Sequence, residues 1–370
     1  MKNLPYGALP DQFITQLINE RFIKNSHIDN IKPSSLDLMV NMSTLMEVPC
    51  VFLPSKNKST IAETLKHLGA KYSYNRHETL LQVGKVYVAE IVETINLSQT
   101  RGIFARANPK SSTGRSDIHI QLMADFVPAY DTLPEKWSGK LYALLRPKSF
   151  DILIPDAFVS MNQIRFFQDE RISVSGLELR ELVGSGIVKN THRNTVLQFS
   201  DLIRGNNKVE LSLALRDLGE VPGYVAKQNV TKPLIWQKAA NDWQDFFEPL
   251  EKITDDKTMI FEKDRFYILS SRESVYVPVD YACEMVSFDD TLGEFRSHYA
   301  GFIDNGWGET GHRPLTLEMR TNEDIYMYHG QPVAYIMFDA MCAPVEKSYD
   351  QLPDSNYMNQ ATARLGKFFK

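Results

Sequence analysis

The sequence predicts a mainly β protein made of two related domains in tandem, each a β-barrel or jelly-roll core with a few peripheral helices. Three observations predict it. The chain has 370 residues, more than one typical core accommodates. Its second half repeats the order of elements in the first. Apolar and polar positions alternate over short runs broken by Gly, Pro and Asn, as in half-buried strands.

The repeat is visible element by element. Residues 10–23 place Ile14, Leu17, Ile18 and Phe22 on one helical face, and residues 175–188 do the same with Leu177, Leu179, Leu182 and Val183. Ser35-Leu36-Asp37-Leu38 corresponds to Ser212-Leu213-Ala214-Leu215. The alternating stretch 81–98 corresponds to 261–278, the loop 109–115 to 286–292, the strand 140–146 to 314–320, and the closing strand 158–167 to 332–339. A charged run at 168–172 separates the halves, which gives domains 1–169 and 170–345 and a C-terminal tail, 346–370. Residues 55–76 read as a polar, mobile insertion. The aromatic-rich stretch 236–247 reads as an amphipathic helix packed on a barrel.

Composition narrows the function. The chain is 43% hydrophobic and 24% charged, ordinary for a soluble globular protein, and its net charge of −5 argues against binding nucleic acid or an anionic membrane. No apolar run approaches the ~20 residues that span a bilayer, and the first residues lack the apolar stretch of a signal peptide. A cytoplasmic location is the expectation. Cys50, Cys283 and Cys342 lie far apart and form no CxxC, so they read as buried, reduced thiols rather than a zinc site. The eight histidines, His77, His298 and His312 among them, show no metal-ligand spacing.

Chemistry concentrates in three places. In 109–115, Ser111, Ser112, Thr113 and Gly114 offer hydroxyl and backbone donors to an anion, flanked by Lys110 and Arg115. The corresponding second-half loop carries Asp289 and Asp290 and no Arg, which would repel a phosphate. The strand 314–320 places one carboxylate, Glu318, between Leu317 and Met319, where the first half has Leu144. The hairpin 299–307 turns at Asp304-Asn305-Gly306, whereas its counterpart, 125–137, is longer and interrupted by Pro128 and Pro134. Each half keeps what the other lacks, which suggests one site divided between both. On the residues alone, the Ser-rich loop reads first as a solvated turn, and Glu318 first as facing outward from a half-exposed strand.

The order of helix, Pro33–Leu38 (PSSLDL), Lys110–Arg115 (KSSTGR), Ala300–Trp307 (AGFIDNGW), Leu315–Glu318 and the tail motif Asn356-Tyr357-Met358-Asn359-Gln360 resembles the deoxycytidine triphosphate (dCTP) deaminase family. That family shares a distorted jelly-roll fold with the trimeric dUTP diphosphatases. The resemblance covers most of the chain as two degenerate copies of the family domain, and so implies tandem dUTPase-like domains. It implies catalytic roles for Glu318, Ser111 and Arg115. It implies nucleotide binding by Lys110 and Ser112 of the phosphate loop, by Ala300, Gly301 and Asp304 of the hairpin, and by Tyr349, Asn356, Tyr357 and Gln360 of a closing tail. Lys110 replaces a family Arg, and Asn356 stands where the family tends to have Lys.

The implied reaction is hydrolytic deamination of dCTP to dUTP and ammonia. Glu318 would shuttle protons, helped by a pKa that burial raises. The zinc-deaminase signature H-x-E…P-C-x-x-C is absent from the sequence, so the chemistry at the base would be metal-free, with Mg2+ entering only beside the triphosphate. A homo-oligomer is expected from the family habit of sites between subunits. Two alternatives stay open: a dUTP diphosphatase or bifunctional enzyme giving dUMP, and a non-catalytic nucleotide sensor.

Overall fold

The computed structural model describes residues 5–75, 78–197, 199–254, 258–286, 295–297, 301–353 and 357–370. In the first half, helix α1 (Asp11–Asn19) buries Ile14 and Leu17 and packs Ile18 and Phe22 against the same core. The half then runs through β1 (Ser35–Asn41), β2 (Met46–Val48), α2 (Ile61–His67), β3 (Thr79–Leu81), β4 (Val86–Asn96) and β5 (Ile103–Pro109). One helical turn, α3 (Ser111–Gly114), leads into β6 (Ile118–Ala124), β7 (Ser138–Pro147), β8 (Ile152–Ile154) and β9 (Phe158–Gln168). The main sheet is antiparallel in the order β6-β7-β4-β1-β9-β5 and curls around the core.

The second half repeats this plan. Helix α4 (Gly176–Leu182) precedes β10 (Lys208–Ser212), β11 (Tyr224–Ala226), β12 (Leu234–Ile235), β13 (Phe247–Pro249) and β14 (Met259–Phe261). Then come β15 (Phe266–Val275), β16 (Tyr281–Val286), β17 (Phe302–Ile303), β18 (Arg313–Thr321), β19 (Ile325–Met327) and β20 (Pro332–Ala340). The strands form two facing sheets, one containing β13-β11-β15-β18 and the other β10-β20-β16-β17. The fold is thus mainly β with few helices, as the sequence predicts.

The duplication extends to single hydrogen bonds. The Tyr87 hydroxyl accepts from the Gln82 backbone N–H at 3.0 Å, and the Tyr267 hydroxyl accepts from Glu262 at 2.8 Å. The buried carboxylates of Glu93 and Glu273 accept the backbone N–H of Met39 (3.0 Å) and Ser212 (2.7 Å). Such bonds satisfy backbone donors inside the sheet, where an orphan would be costly.

The halves are interlocked. β12 pairs in parallel with β8, placing Leu234 opposite Ile152 and Ile235 opposite Leu153. Beyond it, Phe246 and Phe247 enter the first-half core and meet Phe150 edge-on at 5.2 and 5.4 Å. Arg320 of the second half bonds the Asp117 carboxylate and the Ser149 hydroxyl of the first.

Four expectations need correction. Leu177 does not join the buried face of its helix, being 76% exposed, while Leu179, Leu182 and Val183 are buried. Residues 236–247 do not form a helix. Asn241 folds back to bond both Ile235 N–H and C=O, Ala239 takes a positive φ of 53°, and Asp242 caps a 3₁₀ turn at Trp243–Asp245. The insertion 55–76 contains the ordered α2, started by a Thr60/Glu63 capping box. Of the cysteines, Cys283 and Cys342 are buried but Cys50 is exposed. Among the described residues no helix is long and apolar enough to cross a membrane.

Candidate active site

The phosphate-ready loop is a helical turn pinned to β9. Lys110 N–H and Thr113 Oγ1 both donate to the Met161 carbonyl, at 3.0 and 2.8 Å. This buries Ser112, whose carbonyl accepts from Ser116 Oγ, and leaves Ser111 and Arg115 on the rim of a cleft. Glu318 lines the same cleft from β18, opposite Ile268 of β15 in the sheet, and is 4% exposed. It does not face outward. Arg115 Nε stands 3.8 Å from Glu318 Oε1, a contact between halves with both side chains buried.

The tail completes the wall. Arg115 Nη1 donates to the Arg364 carbonyl at 3.0 Å and Nη2 to Gln360 Oε1 at 3.2 Å, while Tyr357 lies under the guanidinium, 3.8 Å from its ring centre. Gln360 also donates to the Pro314 carbonyl at 2.7 Å, tying the tail to the strand that carries Glu318. The root of the tail is held by a buried, two-pronged Arg313–Asp350 pair at 2.6 Å. Arg313 keeps the Asp350 carboxyl below its usual range against the opposing effect of burial. Tyr349 packs on Trp307 at 5.3 Å, and burial pushes its phenol well up.

Asp304 enters the cleft from the hairpin after β17. Its Oδ1 is enclosed, and burial raises the carboxyl to about 6. Arg165, Lys32 and Lys110 oppose that rise, and Asp37 adds to it. Gly301 N–H donates to the first-half Asn108 side chain at 2.7 Å, and a Cβ at Gly301 would lie 2.5 Å from Asn108 Nδ2. The close approach of the hairpin therefore needs glycine. Ala300 and Asn356 lie outside the described residues, as does most of the loop 286–292.

Lys110 stands apart from the residues that line the cleft. Its ammonium bonds the Asp37 carboxylate and Ser160 Oγ, behind the loop. Lys32 approaches the same carboxylate at 3.9 Å, and Lys367 of the tail, its ammonium pushed down by burial, feels Lys110, Lys32 and Lys238. This flank gathers the ammonium groups of Lys32, Lys110, Lys238 and Lys367 around the Asp37 carboxylate, with Asp304 also within reach of Lys32 and Lys110. Among the described residues no group of three or more His, Cys, Asp or Glu could hold a metal ion.

At the repeat-related position, Leu144 is fully buried beneath Ile61 and Leu65 of α2. The insertion covers the first-half counterpart of the Glu318 surface. Sequence reasoning passed over Asn108 and Arg165. Asn108 precedes the loop motif by two residues and so was within reach of it, but Arg165, in the middle of a strand, gives no local signal.

The fold and cleft define a duplicated jelly-roll protein whose buried polar site draws an Arg from one half and a carboxylate from the other. The family model described as the 2'-deoxycytidine 5'-triphosphate deaminase N-terminal domain matches residues 5–170, and that of the C-terminal domain matches residues 185–369. A dCTP deaminase, dUMP-forming, from Methanosphaera stadtmanae is 28% identical over 141 residues, 37% of this chain and 70% of that protein. The crystal structure of 2'-deoxycytidine 5'-triphosphate deaminase from Agrobacterium tumefaciens superposes with a TM-score of 0.82 at 32% identity, covering 92% of this chain and 97% of that one. The chain belongs to the dCTP deaminase family.

Proposed function

We propose that the chain deaminates dCTP hydrolytically, giving dUTP and ammonia, in a cleft formed within one polypeptide. The observation that carries this reading is the buried approach of Arg115 to Glu318 across the two halves. Glu318 takes a proton from water as the oxygen bonds to C4 of the cytosine. It returns a proton to N3, then helps protonate the amine, which leaves as ammonia while the C4 carbonyl forms. Arg115 and Ser111 orient the water and Glu318. Arg115 is itself oriented by Tyr357, Gln360 and the Arg364 carbonyl. Asp304 accepts from the sugar hydroxyl and Ala300 meets the base through its backbone, while Gly301, whose N–H and C=O are engaged by Asn108 and Met285, seats the hairpin. The loop with Ser112, the ammonium-rich flank, Tyr349 and Asn356 attend the triphosphate, whose charge Mg2+ would offset.

The test is incubation of the purified protein with dCTP and magnesium, with nucleotides separated by ion exchange. Wild type yields dUTP and Glu318→Gln does not. Absence of any product from wild type would sink the reading. The name of the Methanosphaera relative favours a second outcome, dUMP with pyrophosphate release. The same chromatogram separates it from dUTP.

A further inference from the structure

Arg165, on β9, is fully buried and heads the large side chains that are. Its Nε donates to the Ser34 carbonyl and its Nη1 to the Cys283 carbonyl, both at 3.2 Å. Both acceptors are neutral, which is poor compensation for a charge removed from water. The guanidinium carbon lies 4.1 Å from the centre of the Phe302 ring, two residues before Asp304. Arg165 Nη2 and Asp304 Oδ1 are each enclosed without a hydrogen-bond partner.

The fold does not require this arginine. Arg165 pairs with Arg106, three residues before Pro109 at the start of the phosphate loop. In the second half the core-facing pairs Ile336–Met285 and Phe338–Cys283 match Ile164–Ala107 and Phe166–Ala105, so Met337, opposite Glu284, takes the place of Arg165. Met337 is half-buried, so the sibling sheet fills the place with an uncharged thioether side chain. A charge has been placed where the repeat manages without one. The arginine belongs to the first half, yet Cys283 and Phe302, which it touches, belong to the second.

We propose that Arg165 is a positioning residue for sugar recognition: from beneath Phe302 its guanidinium steadies the hairpin and supplies the charge against which the Asp304 carboxylate is presented to the nucleotide's sugar hydroxyl. The proposal rests on the deaminase reading above. The charges acting on Asp304 are Arg165 of β9, Asp37 of β1, Lys32 and Lys110, with Arg165 the strongest attraction. Arg165 also feels Glu284 of β16 and Asp339 of β20.

The experiment compares dCTP with 2',3'-dideoxycytidine triphosphate, which lacks the 3'-hydroxyl. Arg165→Met and Arg165→Leu remove the charge, the first by imitating Met337. Arg165→Lys keeps it. The neutral variants should lose at least tenfold of the wild-type preference for dCTP in kcat/KM, through KM rather than kcat. Their acid limb should move to higher pH. Arg165→Lys should retain most of the preference with the limb in place. In an Asp304→Ala background, Arg165→Met should change the preference no further, which a merely structural role would not predict. A folded neutral variant with wild-type preference and limb overturns the proposal, and so does a Lys variant as impaired as the neutral ones. If neither neutral variant folds, the Lys variant decides alone. Failure of wild type to turn over dCTP instead contradicts the deaminase reading, a result distinct from either.

Discussion

At the residue scale, the proposed chemistry rests on two carboxylates placed by different means. Glu318 is held in a strand and enclosed, with Arg115 at 3.8 Å. Replacing it with Gln preserves shape but would remove the proposed proton carrier. The expected result is a loss of roughly 10³-fold in kcat with the melting temperature unchanged within a few degrees, checked by steady-state kinetics and thermal unfolding. Burial pushes the Asp304 carboxyl up to about 6, and its ionised form makes the stronger, charge-assisted bond to the sugar hydroxyl. As pH falls through about 6, kcat/KM for dCTP should therefore drop, while the rate with a substrate lacking the 3'-hydroxyl should not. Most of this site was legible in the sequence, because Ser111, Arg115, Asp304, Glu318 and the two tail tyrosines sit in motifs whose spacing is local. Lys110 was legible only as a charge. Its actual partner, Asp37, is 73 residues away and nothing near Lys110 announces it. Arg165 was illegible for the same reason.

At the element scale, the tail has two separable duties. Tyr357 and Gln360 hold Arg115, whereas Phe368 lies in the first-half core and meets Trp236 at 4.1 Å. Cutting after Pro353 would therefore damage packing as well as the cleft, and point changes divide the two. Tyr357→Ala should lower kcat/KM about tenfold, the loss expected for removing a desolvated cation–π contact. Phe368→Ala should cost about 3–5 kcal/mol of stability. Equal loss of activity and stability in both variants would contradict this division. The stretch 236–247 shows why one element was misread. Its aromatic spacing is that of a helix face, but Asn241 satisfies the backbone of Ile235 and releases Phe246 and Phe247 into the neighbouring core. A single side-chain amide outweighs the periodicity there.

At the scale of the whole molecule, both halves of the cleft come from one chain. Mixing Arg115→Ala with Glu318→Gln chains should restore no activity, whatever assembly they form, and recovery in the mixture would show a site completed between chains. Stability should also follow the buried repeat-related glutamates. Burial raises the Glu93 carboxyl from 4.5 to about 7, and a group so raised stabilises the fold while protonated. Its contribution is full below pH 4.5 and is lost as pH rises through about 7, a difference of about 3 kcal/mol. Glu93→Gln should flatten that part of the pH profile in denaturant titrations. The duplication itself was legible because each half keeps its order of strands. The interlock was not, since a two-residue strand such as β12 carries no sign of the partner it joins.

The helix lying over Leu144 has a further consequence, one of stoichiometry. Copying a domain ordinarily doubles the number of ligands a chain can hold. Here the first copy carries Leu144, packed with Ile61 and Leu65, where the second carries Glu318, and it lends its loop to the second. Calorimetric titration with a non-hydrolysable dCTP analogue should saturate at one ligand for every two jelly rolls. Once a copy no longer has to bind, its sequence is free to drift everywhere except along the wall it provides for its sibling.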